Sequence, residues 1–136
     1  MNEAKELALR ALRHRDHSRR DLERRLELAG IPAAERVHTL DGLAETGLLS
    51  DARFAESRAQ ALAGRSAGDA LIRHDLAAHG IAEDVVADVL AQLPPEAERA
   101  ARIFDERGRG AKALRYLAGK GFSADTLDGV SADSLH

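Results

Sequence analysis

The chain has 136 residues, no cysteine and a formal net charge of −3, and its residues are 44% hydrophobic but only 3% aromatic. The lack of cysteine excludes a disulfide framework and a thiolate metal site, and the net negative charge disfavours a nonspecific nucleic-acid binder. No stretch approaches the roughly 20 apolar residues that span a membrane, and the charged beginning lacks the apolar region of a secretory signal, so we expect a cytoplasmic protein without membrane association.

The first predicted unit covers residues 1–48 and contains three helices. Apolar residues at helical spacing predict a first helix over about residues 3–14. Ser18 then begins a second helix with the letters S-R-R-D, which resemble a capping box. Gly30 ends that helix because glycine readily adopts a left-handed conformation. Pro32 fits the first turn of the third helix.

The second predicted unit covers residues 49–94 and repeats this order. Ser50 or Asp51 can cap its first helix. Ser66 begins S-A-G-D, which has the spacing of S-R-R-D and predicts the next cap. Gly80 ends the middle helix, and an apolar third helix follows.

The third predicted unit covers residues 95–136 and is shortened. Pro95 fits the first turn of its first helix. A glycine-containing break precedes a middle helix that Gly121 ends. Ser123 can cap a short final helix, after which the polar end of the chain is expected to fray.

One phrase occurs three times and defines the architecture. Each copy is a short amphipathic helix that is closed by a glycine and a large apolar residue: L-E-R-R-L-E-L-A-G-I at Leu22–Ile31, I-R-H-D-L-A-A-H-G-I at Ile72–Ile81, and A-L-R-Y-L-A-G-K-G-F at Ala113–Phe122. This pattern predicts an all-α fold of three tandem three-helix repeats in an elongated, curved array, with Leu26, Leu76 and Leu117 as equivalent core residues. The glycines could cap helices or allow close approach of a ligand backbone, and the apolar residue after each favours the cap.

Catalytic and metal-binding patterns are absent from the sequence. It contains neither G-x-x-x-x-G-K-[ST] nor H-E-x-x-H. His14 and His17 have the spacing of two ligands on one helix face, but a predicted helix break separates them. We therefore expect no enzyme activity, no metal, no cofactor and no small-molecule substrate.

The charged residues are unevenly distributed along the chain. Residues 10–25 carry an excess of four positive charges and residues 99–120 an excess of five, whereas residues 31–93 have ten acidic and five basic residues. These charges could be solvated helix faces, or the basic ends could bind phosphate or an acidic protein surface. No aromatic stacking platform is expected beside them, so any contact with nucleic acid would be to its backbone. The candidate contact residues are Arg19, Arg20, Arg24, Arg25, Arg65, Arg73, Arg109, Lys112, Arg115 and Lys120.

The chain resembles the RecX regulatory proteins of bacteria over most of its length. The resemblance rests on H-S-R-R-D-L-E-R-R-L-E-L-A-G-I, on L-A-E-T-G-L-L-S-D-A-R-F-A-E-S, on G-R-S-A-G-D-A-L-I-R-H-D-L-A-A-H-G-I and on A-L-R-Y-L-A-G-K-G-F, at residues 17–31, 43–57, 64–81 and 113–122. It implies tandem three-helix repeats without enzyme activity. It also implies modulation, usually inhibition, of the RecA recombinase by docking along the groove of its filament on DNA. We expect a monomer.

Two other functions fit the residues. Leu22–Ala44 could form a helix-turn-helix that places Ala33–Glu45 in a DNA groove, although this segment has three acidic residues against Arg36 alone. The chain could also be a general helical scaffold for another partner. Capping, dissociation and stabilisation of a filament all remain open.

Overall fold

The computed structural model describes residues 2–133, and every regular element in this range is an α-helix, as predicted. The helices within it are α1 (Glu3–His14), α2 (Arg19–Leu28), α3 (Ala33–Glu45), α4 (Asp51–Gly64), α5 (Asp69–Ala78), α6 (Glu83–Gln92), α7 (Glu96–Glu106), α8 (Ala111–Gly119) and α9 (Ala124–Asp133). We refer to α1–α3, α4–α6 and α7–α9 as the first, second and third triplets. None of the described helices is long and apolar enough to cross a bilayer.

Side-chain caps begin several of these helices. The hydroxyl of Ser18 accepts a hydrogen bond from the Asp21 N–H at 3.1 Å, and Ser50 caps α4 in the same way. The predicted cap at Ser66 is wrong, because Gly68 is the N-cap of α5 and makes no side-chain cap bond. Ser66 instead adopts a left-handed conformation with φ 71°.

The middle helices of the three triplets end identically. Gly30, Gly80 and Gly121 have φ of 82°, 80° and 87°. In each triplet the N–H of the following apolar residue donates to the carbonyl of the core leucine five positions earlier, at 3.1, 3.1 and 3.2 Å. This is the hydrogen-bond pattern of a Schellman cap, and it confirms the prediction that these glycines end helices.

Each triplet has its own hydrophobic core. Leu26, Leu76 and Leu117 are all 0% exposed, as expected of equivalent positions. Each lies in a separate cluster, of which the first also includes Leu49. Helices that pack closely against each other always belong to the same triplet. The residue boundaries predicted for the three units, after residues 48 and 94, stay a prediction.

The accessible surface indicates an extended arrangement of the triplets. The chain exposes 8305 Å², whereas a compact monomer of 14.6 kDa is expected to expose about 6,900 Å². An excess of about a fifth follows when three small cores each keep most of their own surface.

Candidate partner-binding surfaces

The junction between the first and second triplets is made by polar side chains. The backbone N–H of Arg19 donates to the Asp51 carboxylate at 2.7 Å, and His79 Nδ1 lies 2.7 Å from an Asp21 carboxylate oxygen. The side chain of Arg20 covers Gly80 so closely that a Cβ there would lie 2.7 Å from Arg20 Nε. Gly80 therefore combines a helix cap with close approach to the neighbouring triplet.

The second junction uses the same carboxylate contact at equivalent positions. The N–H of Asp69 donates to Glu96 at 2.7 Å, just as that of Arg19 donates to Asp51. Both acceptors are the first residue of the first helix in the following triplet. The Gly68 N–H also donates to the Lys120 carbonyl at 2.7 Å. Long-range bonds of this kind leave no periodic signal in the sequence.

Arg99 is a structural residue at this second junction. It is 4% exposed, and its guanidinium donates to the Asp69 carboxylate at 2.9 Å and to the carbonyls of Ala67 and Pro94 at 3.3 and 3.0 Å. Arg99 is one of the seven basic residues in the segment 99–120. Its burial removes it from any partner-binding surface.

Five of the ten candidate residues make contacts within the protein. Ion pairs join Arg19 to Asp41 at 2.6 Å, Arg73 to Glu83 at 3.7 Å and Arg109 to Asp105 at 3.4 Å. The other two lie at the junctions, where Arg20 covers Gly80 and the backbone of Lys120 binds Gly68. A partner would have to compete with the side-chain contacts of Arg19, Arg20, Arg73 and Arg109, whereas the backbone contact of Lys120 leaves its charge available.

The other five candidates form no ion pair within residues 2–133: Arg24, Arg25, Arg65, Lys112 and Arg115. All five are exposed. Arg24 and Arg25 lie in the first triplet and Lys112 and Arg115 in the third, whereas Arg65 follows α4 in the second. Unpaired exposed cations are the part of the predicted set that is available to a partner.

The first group lies on α2 and at the end of α1, in what we call the α2 surface: Arg15, Arg24, Arg25 and Leu28. These side chains line one depression together with His79 from the second triplet. Leu28 is 79% exposed, so the surface combines positive charge with an apolar residue. Such a combination is typical of protein interfaces, where arginine and apolar contacts occur together.

The second group surrounds the single tyrosine of the chain, in what we call the Tyr116 cluster: Arg107, Lys112, Arg115, Tyr116 and Lys120. The first four of these line one depression. The Arg107 guanidinium carbon lies 3.3 Å from the centroid of the Tyr116 ring, and Lys120 Nζ lies 6.0 Å from it. One aromatic ring therefore lies among the basic residues, covered on one face by Arg107, and the prediction that no aromatic stacking platform accompanies them stays a prediction. The signal was present in the repeated phrase itself, where Tyr116 follows Arg115.

The surroundings of Tyr116 lower the pKa of its phenol. A hydrogen bond from the Ser66 hydroxyl lowers the pKa of Tyr116. Partial burial raises the pKa, but the positive charges of Arg107 and Lys120 lower it again, so it lies below its ordinary value. Ser66, which follows α4 in the second triplet, is thus a neighbour of Tyr116.

The triplets, their glycine caps and their carboxylate junctions define a tandem helical-repeat protein with unpaired cations at both ends. The family model described as "RecX, second three-helix domain" matches residues 50–90. The regulatory protein RecX of Chromohalobacter salexigens is 38% identical over 129 residues, which cover 88% of this chain and 85% of that protein. That of Halorhodospira halophila is 33% identical, with coverage of 94% and 86%. The chain therefore belongs to the RecX family of regulatory proteins.

Two solved structures share the fold. The crystal structure of RecX from Lactobacillus salivarius matches 96% of this chain and 94% of its own, with a TM-score of 0.83 at 20% identity. A second crystal structure, titled regulatory protein RecX, matches 96% of this chain and 72% of its own, with a TM-score of 0.81 at 24% identity. The succession of three helix triplets is thus shared between chains whose sequences have diverged widely.

Proposed function

We propose that this protein is a non-enzymatic regulator that binds RecA recombinase filaments on single-stranded DNA and inhibits their ATP hydrolysis and strand exchange. The observation that carries the proposal is the family membership, which covers most of the chain and most of its relatives. The resemblance of the sequence to RecX proteins implies this partner. We place the activity in the cytoplasm and expect a monomer to perform it.

The distribution of charge supports a filament as the partner better than free DNA. The segment 31–93 has ten acidic and five basic residues, and four of the five basic ones are in ion pairs: Arg36, Arg53, Arg58 and Arg73. This acidic middle would be repelled by bare phosphate. A filament groove offers protein and DNA side by side, so the basic ends can bind while the middle faces protein.

The proposed contacts are the unpaired cations at the two ends of the array: Arg24, Arg25, Lys112 and Arg115. Exposed charges that lack an internal partner can form new ion pairs without breaking old ones. Arg65 is exposed and unpaired as well, and Lys120 joins the junction through its backbone carbonyl, which leaves its ammonium group available. Arg19, Arg20, Arg73 and Arg109, whose side chains have internal contacts, would bind only after rearrangement.

The test is ATP hydrolysis by preassembled recombinase filaments on single-stranded DNA. The parent protein should suppress turnover, and added salt should weaken this effect because ion pairs are screened. Changing all four proposed contacts to Glu should abolish suppression while circular dichroism shows unchanged helicity. A control with the same change in net charge replaces four exposed cations elsewhere, Lys5, Arg10, Arg13 and Arg102, and should still inhibit. Unchanged turnover at saturating parent protein would reject the proposal.

In the helix-turn-helix alternative, Arg36 is the one basic residue of the recognition helix, and internal contacts already occupy it. Arg36 Nε lies 2.6 Å from Glu23, and its terminal nitrogen donates to the Ile31 carbonyl at 2.6 Å. Helix α3 therefore has no unpaired arginine or lysine to place against DNA phosphates. Binding to naked duplex DNA that equals or exceeds binding to the filament would favour this alternative.

A further inference from the structure

Arg107 and Tyr116 form a flat, exposed platform. A distance of 3.3 Å between the guanidinium carbon and the ring centroid is at van der Waals contact, so the guanidinium must lie parallel to the ring. Arg107 is exposed, whereas Tyr116 is partly buried against the third core. The outer face of the guanidinium is consequently presented to solvent, and the tyrosine supports its inner face.

Arg107 has no ion pair that would account for this arrangement. No carboxylate in residues 2–133 lies within ion-pair distance of it, although Glu106 and Asp105 precede it directly. Asp105 instead pairs with Arg109 at 3.4 Å. The charge of Arg107 is therefore available to a ligand, and its planar face is fixed in orientation.

Three further cations surround the platform. Lys112 and Arg115 line the same depression, and Lys120 approaches Tyr116 from the end of α8. Glu106 is the one acidic residue that lines the depression, so the three cations in its lining, Arg107, Lys112 and Arg115, face a single negative charge. The Tyr116 ring itself packs against the third hydrophobic core, which supports it behind the guanidinium.

We propose that the Tyr116 cluster binds an unpaired nucleic-acid strand, with a base stacked on the outer face of Arg107 and the adjoining phosphates on Lys112 and Arg115. Unpaired bases stack on arginine planes as well as on aromatic rings, and a stacking surface inside a positive groove is the usual composition of single-strand sites. An acidic protein surface would also bind the cations, but its carboxylates would not stack on the planar face of the guanidinium. The inference rests on the proposed function for its biological setting and assigns the DNA contact to one end of the array.

The experiment measures fluorescence anisotropy of a labelled single-stranded oligothymidylate with the full-length protein at several salt concentrations. Arg107→Lys keeps the charge but removes the plane, so affinity should fall at least about fivefold while the salt slope stays unchanged. Lys112→Gln and Arg115→Gln should each reduce the salt slope by about 0.7. Tyr116→Phe keeps the ring and should bind within about twofold of the parent. Arg102→Gln, an exposed change on α7 outside the cluster, should change neither quantity.

Each opposite result would overturn the inference. Parent-like affinity of Arg107→Lys would exclude stacking, and unchanged salt slopes of the two Gln variants would exclude phosphate contact. Equal binding of a duplex of the same length would exclude an unpaired strand. Binding of a polyglutamate peptide that Arg107→Lys weakens equally would assign the cluster to an acidic protein. The anisotropy assay contains no recombinase, so a negative result there concerns the strand site alone. The proposed function is tested separately, by ATP hydrolysis of the filament.

Discussion

Gly68 and Gly42 differ in the space that each leaves for an added side chain. A Cβ added to Gly68 would lie 2.6 Å from the backbone carbon and oxygen of Gly121, whereas a Cβ on Gly42, inside α3, would meet nothing within 4 Å. Gly68 has φ −82°, which any residue can adopt. The constraint at Gly68 is therefore contact between the second and third triplets, with no contribution from backbone conformation.

This contrast predicts opposite effects of the same substitution. Gly68→Ala must push the two triplets apart and should destabilise the protein by about 1–3 kcal/mol, the usual cost of overpacking. Gly42→Ala fills open space in a helix and should stabilise it by about 0.5–1 kcal/mol. Urea unfolding monitored by circular dichroism measures both, and a destabilised Gly42→Ala would show that α3 is packed differently.

Arg99 shows how far a residue's role can be predicted from the sequence. Its position in the third triplet corresponds to Phe54 in the second, since each lies three residues after the junction carboxylate, Glu96 or Asp51. The guanidinium carbon lies 5.9 Å from the centroid of the Phe122 ring, and the ion pair to Asp69 makes the burial tolerable. A count of charges cannot reveal this, because burial of an arginine depends on partners 30 and 32 residues away.

At the scale of helices, the repeated phrase predicts the core. The Schellman caps place the leucine four residues before each glycine at the centre of its triplet, where it is 0% exposed. Helical period and cap chemistry act over a few residues, so they are readable from the sequence.

Leu76→Ala should accordingly cost about 2–5 kcal/mol. The loss should exceed that of Leu26→Ala or Leu117→Ala, because the second triplet has a neighbour on each side. Leu28→Ala is the matched control, since Leu28 is 79% exposed and surface changes usually stay within about 0.5 kcal/mol. If thermal melts of Leu76→Ala overlay those of the parent, Leu76 is not a core position and the assumed alignment of the three repeats is wrong.

Glu96 connects three helices through one carboxylate. It accepts hydrogen bonds from the Asp69 N–H at 2.7 Å, from the Ser123 N–H at 3.2 Å and from the Thr126 hydroxyl at 2.7 Å. Burial raises the pKa of Glu96, but the hydrogen bonds from Thr126, Asp69 and Ser123 together lower it below its ordinary value. The charged form is therefore the one that stabilises the junction.

This lowered pKa sets the sign of the pH dependence. A group whose pKa is lower in the folded protein contributes stability above its unfolded pKa and loses it as the pH falls through the folded value. Glu96→Gln should be less stable than the parent by about 1–3 kcal/mol at neutral pH. The difference should shrink as the pH falls below about 4.3, the ordinary glutamate value. Chemical denaturation across this pH range measures the difference in free energy of unfolding between the two proteins. A difference that stays the same in acid would show that the negative charge of Glu96 does not stabilise the junction.

At the scale of the whole molecule, the hydrogen bonds between triplets in the described range 2–133 lie at the two junctions. Short-range pattern predicted the triplets, but the junction contacts Asp51–Arg19 and Glu96–Asp69 span 32 and 27 residues and could not be predicted. The same holds for the Tyr116 cluster, where Ser66 reaches a tyrosine of the next triplet. The candidate cations were found by composition, while their division into paired and unpaired residues required the structure.

This construction predicts a scattering profile unlike that of a globule. A compact domain of this length has a radius of gyration of about 14 Å, whereas a row of triplets that exposes 8305 Å² should give a clearly larger value and a skewed distance distribution. Small-angle X-ray scattering of the monomer at several concentrations tests both this extension and the curvature expected of a repeat array. Gly42→Ala should reproduce the parent profile, because it alters no junction. A radius of gyration at the compact value would mean that the triplets fold back on one another, and the two ends would then no longer be separate surfaces along a filament.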